Sequence, residues 1–386
     1  MSKLAFLLLL AGLGLNALAA TRVTVEQVEQ LLSASHDLPD AKLAEKLSDL
    51  ELTDRASSVR LSNWQSEFPG KHTREALMAL ADASAFLDLP AADVPNLEKP
   101  DPEARKQILD RMVNYVNTTI HKLPNFSARR TTTHFDQSSL LQEMVTAGMT
   151  PDGYDLSNPP PSAGTHPLHV ADRTAIIVTY RNGLEVPSRR AYQDREAAWY
   201  AGLTTRGEFG PILSVVVGDA LKGRFFWGRW ERGAAGTLAV FCYKVPRGFS
   251  HYTVTVDENR KDSPAYHGEL AIDPANGTIM RISVVADLDP SNVSDSKRAA
   301  KSKSNRPGRT LEASITVEYA SVTIGNVPYI CPAKGVAIWR TTPRSNLSFS
   351  YDREYMSKMN PPSLTFVNDV SFTEYRLFRG DVRVLP

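Results

Sequence analysis

The spacing of apolar residues changes near Pro124, which limits the chain to folds that place helices before strands. From Thr24 to about Leu123 the apolar side chains recur every three or four positions; after Pro124 they alternate. The first helix opens with "TVEQ", where Thr24 can cap the helix and Gln27 can reach back, before Val28, Leu31 and Leu32. A second is predicted near Asp40 to Leu50, with Leu43, Leu47 and Leu50 on one stripe. A third follows Thr53, carries Val59 and Trp64, and stops before Pro69-Gly70. A fourth starts at Thr73, carries Leu77, Leu80, Ser84 and Leu87, and ends at Pro90. "LDLPAADVPNLEKPDP" is a proline-rich connector, and Asp101-Pro102 begins a long fifth helix with Ile108, Met112, Tyr115 and Ile120 inward. Helices this short are marginal alone and must bury their stripes against a neighbour.

The second part reads as antiparallel strands. "ARRTTTHF", "RFFWGRW", "TLAVFCYKV", "HYTVTVD", "ITVEYASVTIGNVPYICP" and "KGVAIWRTT" are β-branched or aromatic, and two further strands are expected in "SLTFVNDVSFTEYRLF". "TAIIVTYRNGLEVP" is a hairpin turning at Asn182-Gly183. "SSLLQEMVTAG" and "FGPILSVVVGDAL", with Pro211 in its first turn, interrupt as short helices.

Before Thr24 stands a secretion signal pattern: Lys3, the apolar "LAFLLLLAGLGL", and the small-x-small Ala17-Leu18-Ala19. Cleavage after Ala19 and a secreted or periplasmic destination are expected; the alternative is an uncleaved anchor. No later segment has the ~18 apolar residues of a membrane span. A net charge of +1 excludes an electrostatic case for nucleic acid. The expected organisation is a signal peptide at 1–19, a helical domain with its connector at 20–100, and a sheet domain at 101–386 with insertions at 137–168 and 291–309.

"ELAIDPANGTIMRISVVAD" is a hairpin whose turn, Asp273-Pro-Ala-Asn-Gly277, has a proline preset for the turn and a glycine free to go left-handed. Its second strand and "TLAVFCYKV" carry apolar residues on both faces, more than a sheet with one wet face needs. "YHGELAIDPANGTIMRISVVAD" followed by "ITVEYASVTIGNVPYICP" resembles the central strands of the bacterial periplasmic lipoprotein-carrier and sigma-regulator half-barrels (the LolA/LolB/RseB-like family). The likeness is carried by Gly268, Leu270, Ile272, Asp273, Gly277, Ile279, Arg281 and Ile282, then Ile324 and Gly325. It implies an α+β fold in which a strongly bent antiparallel sheet, a half-barrel, holds one or two helices in its concavity.

That resemblance directs attention to "GRFFWGRWE". Strict alternation would point Phe226 and Trp230 one way and Phe225 and Trp227 the other. With Phe241, Tyr243 and Arg281 they form the expected lining for a lipid, an acyl chain or a lipoprotein, against the bland reading of core aromatics beneath a helix. The reading carried forward is an envelope binding protein without catalysis. Its competitors are a regulatory module docking another envelope protein, and a hydrolase using Glu208 with Ser250, His251 or His267. No nucleophile elbow, zinc-protease helix or phosphate loop appears, and no cofactor is expected. His166 and His169 are too few to hold a metal. The basic loop "SKRAAKSKSNRPGR" lacks interleaved aromatics, so it reads as solvated, with anionic lipid headgroups as its functional alternative. For Cys242 and Cys331 a disulfide and two buried thiols both fit an oxidising compartment.

Overall fold

Thr24 caps the first helix as its spacing implies, in a computed structural model that describes residues 20–119, 122–146, 149–150, 153–154, 167–181, 184–186, 211–234, 236–257, 260–288, 310–341 and 363–378. The expected signal peptide, the Asn182-Gly183 turn, His166, Glu208 and the basic loop at 291–309 lie outside the described residues. In chain order the elements begin with β1 (Thr21–Val23), α1 (Val25–Ser33), α2 (Asp40–Ser48), β2 (Leu50–Leu52), α3 (Ser58–Glu67), α4 (Lys71–Ala83) and α5 (Pro102–Thr119). There follow β3 (Phe126–Asp136), α6 (Ser138–Thr146), β4 (Met149–Thr150), β5 (Gly153–Tyr154), β6 (His169–Arg181), β7 (Leu184–Val186) and α7 (Pro211–Ala220). The chain continues through β8 (Arg224–Gly233), β9 (Gly236–Val245), β10 (Val254–Asp257), β11 (Arg260–Asp262) and β12 (Ala265–Ile272). It ends with β13 (Ile279–Asp287), β14 (Thr310–Ile324), β15 (Val327–Thr341) and β16 (Leu364–Leu377).

Both halves of the capping box form: the Thr24 hydroxyl accepts from the Gln27 amide, and the Gln27 side chain accepts from the Thr24 amide at 2.8 Å. Helices α1 to α4 share one apolar cluster that includes Val28, Leu47, Trp64 and Leu77. Val59, expected inward, is exposed instead. Ser57 caps α3, and the buried stripe then runs Leu61, Trp64, Phe68, a spacing that leaves Val59 outside.

The fold is α+β, built on one ten-stranded antiparallel sheet in the order β7-β6-β3-β16-β15-β14-β13-β12-β9-β8. The stretch expected to hold two C-terminal strands is one continuous strand, β16, whereas β10 pairs with β11 in a separate ribbon. One sheet face carries Phe241, Leu270, Ile282 and Val317 beneath Met112 of α5 and Val216 of α7. Towards β3 the opposite face meets α4, where Ala79 packs with Phe135, Val336, Ile338 and Val367. Helices therefore cover both faces, which explains strands that are apolar on both sides.

The hairpin that stood out in the sequence is a docking element. Asp273 accepts from the Ala275 and Gly277 amides at 2.9 Å each, and Gly277 adopts φ +80°. A Cβ there would lie 2.3 Å from the Arg111 carbonyl carbon, so the turn seats directly on the backbone of α5. Gly268 meets a different demand. Tyr243 lies across it to donate to the Ser283 carbonyl at 2.6 Å, and a Cβ on Gly268 would fall 1.9 Å from that same oxygen.

Candidate functional site

A bulge decides which side chains face where on β8. The register slips between Trp227 and Arg229, leaving Gly228 as the extra residue, and a Cβ on Gly228 would crowd the Val240 carbonyl at 3.0 Å. The slip overturns the strict alternation expected here. Phe225, Trp227 and Trp230 all pack on the α5/α7 side, where Trp227 meets Trp230 edge-on at 5.0 Å and Phe241 at 5.4 Å. Phe241 and Tyr243 are fully buried in that cluster, and the Trp230 indole donates to the Glu98 carbonyl at 2.7 Å, tying down the connector. Phe226, half exposed, lies across the sheet from them. Five of the seven expected lining residues thus come together as packed core, while Phe226 and Arg281 belong to the other face.

The same slip places Arg229 and Glu231 together on the face turned towards α1–α4. The Glu231 carboxylate takes two hydrogen bonds from Arg281, one of them at 2.9 Å, one from Arg55 at 2.9 Å and one from Arg229 at 3.1 Å. Glu269 on β12 accepts from Arg229 at 2.6 and 2.8 Å and from Arg281 at 3.3 Å. Arg55 comes from the loop between β2 and α3, so the network bolts that helical layer to the sheet. Burial alone would raise the Glu231 carboxyl, but the Arg281 hydrogen bonds and the three guanidinium charges outweigh it and hold it at about 2. Burial and the crowding of Arg281 pull Arg55 down to about 10, despite Glu231 and Glu269.

A second charged group lies nearby. The Lys334 ammonium on β15 reaches Asp82 of α4 at 2.7 Å and Asp369 of β16 at 3.1 Å. Asp82 is buried, with Lys334 on Oδ1 and the Asp369 carboxyl within hydrogen-bonding reach. Burial first, then the facing Asp369 carboxylate, push Asp82 well above the usual carboxylate range in spite of Lys334. Burial would lower Lys334, and the Asp82 and Asp369 charges raise it instead. Glu318 of β14, held by the Ser58 hydroxyl at 2.7 Å, faces both Lys334 and Arg281.

These two groups wall a cavity of about 480 Å³ between α3 and α4 on one side and β8, β13, β14 and β15 on the other. Its charged lining includes Arg55, Arg281, Lys334, Asp82 and Glu318; Ala81, Leu238, Met280 and Val336 supply apolar wall. Apart from Arg281 and the turn residue Asp273, none of the charged lining residues stands out in the sequence. Their signal was a charge inside an otherwise apolar strand or helix, as with Glu269 in "GELAI".

Of the expected acid/base residues, His251 uses Nδ1 on Asp219 of α7 at 2.6 Å, and Tyr266 donates to the same carboxylate at 2.9 Å. The Ser250 hydroxyl turns to the Tyr252 carbonyl, so no nucleophile–base pair forms between these neighbours. His267 pairs with Asp287 at 2.7 Å near the surface, and His169 is exposed at the start of β6. Among the described residues no three metal-ligating side chains converge. Cys242 and Cys331 are unbonded. Four strand-to-strand steps separate β9 from β15, roughly 19 Å across a flat sheet against the ~7 Å that a disulfide spans. Comparison of the chain with protein-family models, curated proteins and solved structures returns no match.

Proposed function

We propose that the chain is an exported, non-catalytic binding protein whose ligand enters the cavity between the α1–α4 layer and the sheet. One observation carries this reading: a void of about 480 Å³, within the ~300–1,000 Å³ typical of ligand pockets, is walled by buried charge and apolar side chains together. Such a lining suits a molecule with an apolar body and a polar head, which keeps the lipid or acyl ligand implied by the half-barrel resemblance. The ligand's place differs from the aromatic stripe. Those aromatics are already in contact with α5, α7 and the connector.

A bent sheet is supported by the contact between Arg281 and Glu231, because β9 and β12 lie between their strands. Three strand spacings are roughly 14 Å on a flat sheet, whose side chains stand off the surface rather than lie along it. A sheet that curls towards α1–α4 brings the two residues together and makes the cavity face the concave one. Export agrees with the expected signal peptide. Among the described residues no helix is long and apolar enough to cross a membrane.

The test is native mass spectrometry of protein exported from bacteria, followed by solvent extraction and by titration with a fluorescent fatty acid. An adduct that disappears in Ala85→Trp, which plugs the cavity wall, is the expected result. Protein that carries nothing and takes up no probe sinks the reading.

A further inference from the structure

We propose that the end of the sheet where α7 leads into β8 docks on an anionic membrane surface. Leu221 and Phe249 enter the lipid there, and Lys222, Arg224 and Lys244 meet its headgroups. This surface lies at the other end of the β8–β9 hairpin from the cavity. From Arg224 to Glu231, which lines the void, is roughly 23 Å along a strand. The inference therefore does not depend on the cavity holding a ligand.

Backbone contacts bring these residues to one place. Gly223 seats the turn after α7 on the end of β9, where a Cβ would lie 2.3 Å from the Lys244 carbonyl oxygen. Asp219, in the last turn of α7, accepts from the His251 amide at 2.7 Å and from its Nδ1 at 2.6 Å. The same carboxylate is buried and takes the Tyr266 hydroxyl, so the turn Arg247–Phe249 is clamped beside the turn that follows α7. Leu221 and Phe249 each stand two residues from that clamp. The strand register then sets Arg224 directly opposite Lys244.

Exposure and charge then point to the partner. Leu221 is 54% exposed and Phe249 46%, although both sit on clamped turns. Phe226, on the same strand face as Arg224, is 46% exposed as well. Among the described residues Lys222, Arg224 and Lys244 form no ion pair, whereas the acids nearby are taken, Asp262 by Arg247 and Asp287 by His267. Like charges opposite one another weaken a strand pair, so Arg224 facing Lys244 has no use to the sheet itself. An anionic surface outside the protein turns that repulsion into attraction. Single exposed apolar residues are ordinary, but a group of them rimmed by unpaired cations is the make-up of an interfacial contact. A protein partner would have to offer a fitted pocket to each protruding side chain. A bilayer accepts them between its headgroups without one.

The experiment is co-sedimentation of the full secreted chain with vesicles of phosphatidylcholine alone and of an equal mixture of phosphatidylcholine and phosphatidylglycerol. The mixed vesicles should bind about tenfold more tightly, a preference that high salt erases. Arg224→Gln with Lys244→Gln should lose that preference while keeping the wild-type circular dichroism. Leu221→Ser with Phe249→Ser should bind the mixed vesicles about tenfold more weakly at the same salt. In Phe249→Trp the added fluorescence should be quenched by lipids brominated on the acyl chain, which adsorption by charge alone would not produce. Ala85→Trp, which plugs the cavity, should sediment as wild type does. Equal binding to both kinds of vesicle overturns the proposal, as does a folded Leu221→Ser, Phe249→Ser protein that binds like wild type. Loss of vesicle binding in Ala85→Trp also overturns it, by routing the lipid through the cavity. Binding of poly-glutamate with both kinds of vesicle left bare overturns the membrane and assigns the patch to an acidic protein.

Discussion

Arg281 of β13 grips both carboxylate oxygens of Glu231 of β8 across two intervening strands, and Arg55 from the helical side closes on the same carboxylate. The three residues lie on different layers or distant strands, so their contact reports the assembled fold rather than any local element. Taking away one partner strands the other without water, a loss of about 3 to 5 kcal/mol for a buried pair. Arg281→Met should lower stability by that order in urea unfolding. Glu231→Gln should cost a comparable amount, because both carboxylate oxygens accept from guanidinium groups and the amide nitrogen would meet donors on one side. Equal stability of Arg281→Met and wild type would mean the network is not closed in solution.

Glu231 also sets a pH dependence. Its carboxyl is held at about 2 in the folded protein against an ordinary 4.5, so the unfolded chain binds the proton more readily. The stability it contributes is full above about pH 4.5 and is lost as pH falls towards 2. Its size is about 3 kcal/mol at 1.36 kcal/mol per unit. Urea unfolding from pH 6 to pH 3 should show this decline, shallower in Glu231→Gln. Parallel curves for the two proteins would remove Glu231 as the source.

Much of this architecture is legible in the sequence, because it rests on local rules. The Thr24 capping box, the Pro102 and Pro211 helix starts and the Asp273–Gly277 turn each follow from a few adjacent residues. What escapes is non-local or displaced by one residue. The Gly228 bulge changes no composition, yet it swings Trp230 to the side of Trp227 and sends Arg229 and Glu231 to the opposite face. The cavity escapes for another reason. Asp82 and Lys334 are 252 positions apart in the chain, and neither helical period nor strand alternation relates them.

Gly268 makes a sharper test of packing than any core leucine. The space for its β-carbon is occupied by the Ser283 carbonyl at 1.9 Å and the Tyr243 hydroxyl at 2.7 Å. The first is backbone in a central ladder and cannot swing away. Gly268→Ala should therefore cost several kcal/mol, in the upper tail of ~4–5 kcal/mol for single substitutions, where alanine for glycine in a compatible strand would stabilise. Tyr243→Phe in the Gly268→Ala background should recover only part of the loss. A Gly268→Ala melting point within a degree of wild type would contradict the close approach.

The two thiols should respond differently to alkylation. Cys331 is buried beside Phe126 and Tyr180, and burial pushes its thiol up to about 12. Cys242 is only part-buried on the cavity-side face, although burial and Glu269 raise it too. Iodoacetamide at pH 8 should modify Cys242 slowly and spare Cys331, with both reacting in denaturant. A mass two protons lighter, with no free thiol, would establish a disulfide that the strand order opposes.

The Asp82–Lys334–Asp369 group allows two substitutions of opposite consequence. Asp82 is raised in the folded state, so its favourable contribution is complete below 3.8 and fades as pH climbs through the folded value. Asp82→Asn holds that position in its uncharged form at every pH and leaves Lys334 matched by Asp369 alone. Its stability near pH 7 should match or exceed wild type. Lys334→Met removes the cation and leaves Asp82 and Asp369 facing each other out of water, a loss of about 3 to 5 kcal/mol. Protonation relieves that repulsion, so the deficit of Lys334→Met should shrink as pH falls from 8 to 5. A deficit constant over that range would show that the carboxylates are not charged against each other, and Lys334 would then stabilise only through the packing of its stem.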